Sequence, residues 1–95
     1  MPDSHERAPE SIAAELESIA AGMGEDAVAD IVERRMRLAH DAVLRLGGEA
    51  NQGRAVSIAL LVAALRAGAP PHVGMAQRLR EVATDLRESA ASDPS

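Results

Sequence analysis

Ninety-five residues suffice for one domain, and a domain this small gains little net stability from its core without a further support. With no Cys, disulfides and thiolate metal sites are excluded; with no Phe, Tyr or Trp, so are base-stacking platforms and aromatic binding anchors. The net charge of −5 is unevenly placed: residues 1–33 hold one Arg against nine acids, a net of −8, whereas residues 34–80 hold eight Arg against two acids, a net of +6.

Gly and Pro signals divide the chain into four predicted helices over a domain spanning residues 9–90, with residues 1–8 and 91–95 read as polar, disordered tails. The first helix is predicted over Pro9–Ala21. Proline suits the first helical position, where its missing N–H would have no partner, and Ile12, Leu16, Ile19 and Met23 recur at one-turn spacing. Gly22 and Gly24 end it. The second is predicted over Glu25–Leu46, with Glu25 and Asp26 complementing the helix dipole and Gly47 and Gly48 supplying the cap. Its apolar arc, Val28, Ile31, Val32, Leu38, Ala39, Ala42, Val43 and Leu46, covers about 160°.

The third helix is predicted over Ala50–Ala67, closed by Gly68, and from Ala55 to Leu65 it is apolar nearly all round. Such a helix is expected to be buried on more than one side. The face that neighbours within the chain leave over, Val56, Leu60 and Ala63, is the expected dimer surface. The fourth runs from Pro71 to about Ala90 on the stripe Met75, Leu79, Val82 and Leu86. No strand-like alternation is present. The expected fold is therefore all-α, a small four-helix bundle packed as a homodimer, oligomerisation being the support left once disulfides and metals are set aside.

Function is best sought where the pattern breaks. Arg35 lies seven residues after Val28 and projects within about 20° of it, inside the apolar arc. A guanidinium there must meet a carboxylate, carbonyls, water or a ligand anion; Glu15 is one candidate, and a side chain lying along the core toward solvent is another solution. Asn51 and Arg54 share a face with Ile58, Leu61 and Leu65. Asn51 suits an N-cap, whereas Arg54 in a first turn opposes the helix dipole and calls for an anion or for Glu49. His72 extends the stripe of Met75 and Leu79. Arg35, Asn51, Arg54 and His72 are thus the candidate ligand-binding residues, lining a polar pocket in an apolar bundle. No catalytic residue, metal or cofactor is assigned: the three His, at 5, 40 and 72, offer no one-turn pairing, and no Ser has an evident base.

The stretch Glu33-Arg34-Arg35-Met36-Arg37-Leu38-Ala39, followed by Val43, resembles part of the long first helix of the short all-α chorismate mutases. The resemblance implies an intertwined helical dimer in which Arg35 binds a substrate carboxylate. The chain departs from the pattern where Gly22 and Gly24 interrupt the helix and where Leu46 stands in place of a Lys, and it is not assigned to the family.

The leading expectation is a non-enzymatic interaction or regulatory protein of the adaptor or immunity type. It would act through a protein partner and a second copy of itself. An enzyme or sensor for a small anionic ligand, chorismate-mutase-like in its most concrete form, comes second. Nucleic-acid binding through the Arg-rich middle comes last, since the chain is acidic and shows no recognition-helix motif. The polar, acidic start lacks the apolar stretch of a secretory signal, and the longest apolar run, Ile58–Leu65, is far short of a membrane span. The expected location is the cytoplasm, and the all-Arg basic complement fits a GC-rich bacterial genome.

Overall fold

The apolar stripes at one-turn spacing become helices. The computed structural model describes residues 9–24 and 26–92, which form α1 (Pro9–Ala21), α2 (Ala29–Leu46), α3 (Glu49–Arg66) and α4 (Val73–Ser92), with no strand among the described residues. The expected tail over 1–8, and 93–95 of the second tail, lie outside the described residues; positions 91 and 92 complete α4. Each helix packs on two others. α1 lies against α2 and α4, and α3 against α2 and α4, so the helices form a closed ring in chain order with α3–α4 the thinnest seam.

Between them lies a purely aliphatic core. Ile12, Leu16, Ile19, Met36, Val43, Ile58, Leu79 and Leu86 are sealed from solvent, and Ala13, Ala20, Ala39, Ala42, Ala55, Ala76 and Ala83 let the backbones approach. No polar side chain is buried among the described residues, and no buried side-chain donor or acceptor lacks a partner.

Four expectations need correction. α2 starts at Ala29, not at position 25, which lies outside the described residues; Ala27 N–H is tied back to Gly24 C=O at 3.1 Å in a turn, and Val28, extended at the N-cap position, has no side-chain oxygen to begin the helix earlier. α4 likewise starts at Val73 rather than Pro71, with the His72 carbonyl accepting its first bonds, from Met75 and Ala76.

The buried face of α2 is also rotated from the expected one. Met36, left out of the arc, is fully buried between Val32, Ala39 and Val43, whereas Val28, Ile31 and Leu38 are more than half exposed. Ile31 and Leu38 project about 140–160° away from Met36, so one packed face cannot hold all three, and the flexible thioether fills the gap between neighbours. On α3, only Ala55, Ile58, Val62 and Leu65 are buried within the chain; burial on more than one side is not met by α1, α2 and α4.

Every seam of the ring is crossed by one Arg–carboxylate pair. Arg35 holds Glu15 across α1–α2 at 3.0 Å, Arg66 holds Glu33 across α2–α3 at 2.9 Å, Arg54 holds Asp85 across α3–α4 at 2.7 Å, and Arg87 holds Glu17 across α4–α1. Partly exposed pairs contribute little net stability. An aliphatic core, however, leaves helix order and rotation weakly determined, and four pairs that each join a different couple of helices penalise the alternatives.

The Arg87 hydrogen bond holds the Glu17 carboxyl below its ordinary value; burial opposes this, and the charges of Arg87 and Arg80 add to it. A depressed carboxylate stabilises the fold above its unfolded pKa, and that contribution disappears as pH falls through the folded one. Arg87→Met should therefore raise the Glu17 pKa, read by NMR titration, and flatten the loss of stability below about pH 5. The α2–α3 turn yields a second test. Gly47 and Gly48 have φ of 78° and 92°, with open space where a Cβ would stand, so substitution meets backbone strain alone. Gly48, with ψ of 154°, lies in a region open essentially to glycine alone, and Gly48→Ala should cost about 1–3 kcal/mol in thermal or urea unfolding.

Candidate functional site

The four polar residues singled out in the sequence take three separate places. Arg35 turns toward α1, where Nε and Nη2 donate to Glu15 at 3.3 and 3.0 Å and Nη2 also donates to the Ser18 hydroxyl at 3.1 Å. It sits at the edge of the core with its tip in contact with solvent, paired with Glu15, the carboxylate that the sequence offered as one candidate.

Arg54 and Asn51 are brought together. The Arg54 side chain is only 10% exposed; it donates to Asp85 at 2.7 Å and to Asn51 Oδ1 at 2.5 Å, and Asn51 Nδ2 donates to the Gly47 carbonyl at 2.7 Å. Asn51 is therefore not an N-cap, because α3 has already begun at Glu49 after Gly48. It instead satisfies a carbonyl at the end of α2 and steers the guanidinium toward α4. Glu49 does not serve Arg54: it lies five residues earlier, about 140° round the helix. With Pro9, Leu46, Leu86, Ser89 and Ala90, this pair lines a small cleft of about 210 Å³.

His72 is elsewhere, exposed before α4, its Nδ1 accepting the Gly74 N–H at 3.0 Å. It precedes Asp85 by thirteen positions, about 20 Å of helix. An anion held by Arg35 or Arg54 would have to displace a carboxylate already in place. Among the described residues no cluster of His, Asp or Glu is arranged to hold a metal ion.

The more distinctive surface is the outer face of α2 and α3. A groove of about 820 Å³ runs between them, floored by Val62 and walled by Leu38 on one side and Ala59, Ala63 and Ala67 on the other, with Arg34, Arg37, Arg66, His40 and Asp41 at its rim. Leu38 is 63% exposed; Val56 and Leu60, further along α3, are 58% and 66% exposed. These are the expected interface residues Val56, Leu60 and Ala63, all on the solvent side, joined by Ile31 and Leu38.

From Val56 to Ala67 this face of α3 carries no charge, Arg66 being turned aside to Glu33. Glu33 also takes Arg37 at 3.5 Å. Arg34, Arg45 and Asp30, by contrast, have no hydrogen-bond or ion-pair partner among the described residues, and Asp41 meets only the His40 ring at 3.2 Å. The sequence reading missed Ile31 and Leu38, which it placed in the core; a helical wheel centred on Met36 would have turned both outward.

Comparison with known proteins gives no match to a family, to a curated protein or to a solved structure.

The two faces of α3 should separate cleanly under truncation. Ile58→Ala, fully buried, should cost about 2–5 kcal/mol in chemical unfolding of the dilute chain, whereas Leu60→Ala should change it by less than about 0.5 kcal/mol. Equal losses would mean that Leu60 is a core residue.

Proposed function

We propose that the chain is a non-enzymatic interaction protein, working in the cytoplasm, whose docking surface is the outer face of α2 and α3. The observation that carries this reading is the set of large exposed aliphatic residues on these two helices: Leu38 lines a groove walled by small residues, and Ile31, Val56 and Leu60 stand exposed on the same helices. Four such side chains at least half exposed on one pair of helices mark a contact surface rather than the scattered apolar residues of an ordinary exterior. Ala59, Ala63 and Ala67 allow a helix from a partner to approach closely, and the rim charges supply orientation.

The expectation of a second copy as partner, drawn from the chain's size, belongs to this reading. The anion-binding alternative ranks behind it because Arg35 and Arg54 are each engaged with a carboxylate. The nucleic-acid alternative loses much of its cationic surface to the same kind of pairing at Arg37 and Arg66.

The test is the apparent mass of the chain in extract of its native cell, followed by size exclusion with immunodetection. Wild type is expected to elute above the mass of a free chain, and Leu38→Glu and Leu60→Glu to elute as the free chain with unchanged helical content. Elution of wild type and both variants alike would overturn the reading.

A further inference from the structure

The outward charges of α2 follow a rule that the chain's own packing does not use. Asp30, Arg34, Asp41 and Arg45 all lie on the solvent side, within an arc of about 60° beside Leu38. Three of the four have no partner among the described residues. They form two couples of opposite sign, Asp30 with Arg45 and Arg34 with Asp41, and both couples have the same midpoint, between Arg37 and Leu38. A twofold axis across α2 at that level lays a second α2 antiparallel on the first. Arg34 of each chain then meets Asp41 of the other, and Asp30 of each meets Arg45 of the other. In an antiparallel pair, residues on one flank face the same flank of the partner, as these do.

The same axis serves α3. Glu33 reaches Arg66, and Leu38 and Ala59 line one groove, so the level of Leu38 on α2 corresponds to the neighbourhood of Leu60 on antiparallel α3. The axis therefore crosses α3 near Leu60, where the stretch from Val56 to Leu65 of one chain lies antiparallel on the same stretch of the other. With no charge between positions 56 and 65, and with Ala59 and Ala63 beside Val56 and Leu60, two α3 helices make an apolar contact there. Arg37 lies near the axis and would approach its own counterpart, but it carries Glu33 as a counterion.

We propose that the occupant of the α2–α3 face is a second copy of this chain, related by a twofold axis through the level of Leu38 and Leu60 and held in register by reciprocal Arg34–Asp41 and Asp30–Arg45 pairs. Closed twofold contacts require a self-complementary patch, and two Asp-to-Arg couples at the same four-residue spacing form one when laid antiparallel on a second copy. This inference rests on the reading of the face as a docking surface.

Sedimentation equilibrium of the purified full chain from about 1 μM to about 1 mM tests it. Wild type is expected to dimerise. Arg34→Asp and Asp41→Arg alone each create two like-charge contacts by symmetry and should raise the dissociation constant at least about tenfold. The double variant Arg34→Asp/Asp41→Arg restores opposite charges across the axis and should return to within about threefold of wild type. All four positions are exposed, so circular dichroism should show the same helical content throughout. A wild type that stays monomeric, single variants that dimerise as wild type does, or a double variant no better than the singles would each overturn the proposal. A monomeric pure chain whose complex in native extract is still lost with Leu60→Glu would retain the docking face and assign it to a different protein.

Discussion

Four helices meet over a core that contains nothing but aliphatic side chains and alanine. Such a core has no hydrogen bond or ring geometry with which to distinguish one helix rotation from the next. Its stability comes from close approach, to which each helix contributes a fully buried small residue, Ala13, Ala39, Ala55 and Ala83. Its uniqueness has to come from the boundary. The arginine pairs on the four seams lie at the edge of the aliphatic interior, where a wrong helix neighbour would leave an Arg and an acid apart.

That division of labour explains the lopsided charge distribution. The acidic first third contributes Glu15, Glu17 and Glu33, and arginines further along the chain close on them. Three of the charges left without a partner among the described residues, Asp30, Arg34 and Arg45, lie on the outer side of α2, next to the stretch of α3 that has no charge at all. A face combining free charges with exposed leucine and valine contrasts with the turn of α4 on which Arg78 and Glu81 pair along a single helix.

Much of the architecture was legible because helix periodicity depends on spacing alone. The stripes of α1 and α4, from Ile12 to Ile19 and from Met75 to Leu86, are the stripes the core buries. α2 was harder for a definite reason. Its aliphatic residues span an arc wide enough to admit two rotations, and the choice between them rests on Met36, which a count of branched residues passes over. The same rotation moves Arg35 from the middle of the apolar face to its border, where Glu15 is within reach. The polar set Arg35, Asn51, Arg54 and His72 shared a helical-wheel logic, but a wheel contains no height. His72 precedes the first turn of α4 and Asp85, the partner of Arg54, lies about 20 Å further along that helix.

The seams are closed by guanidinium groups and never by amines, and this extends beyond helix order. A chain with no Lys, Tyr or Cys has no side chain whose ordinary ionisation falls between mildly alkaline solution and the guanidinium range. Across several units of alkaline pH, neither the latches nor the net charge has anything to lose. The bundle is thus built with one chemically vulnerable side, the acidic one, where the carboxylate halves of its seams take up protons, and an alkaline side on which its electrostatics stand still.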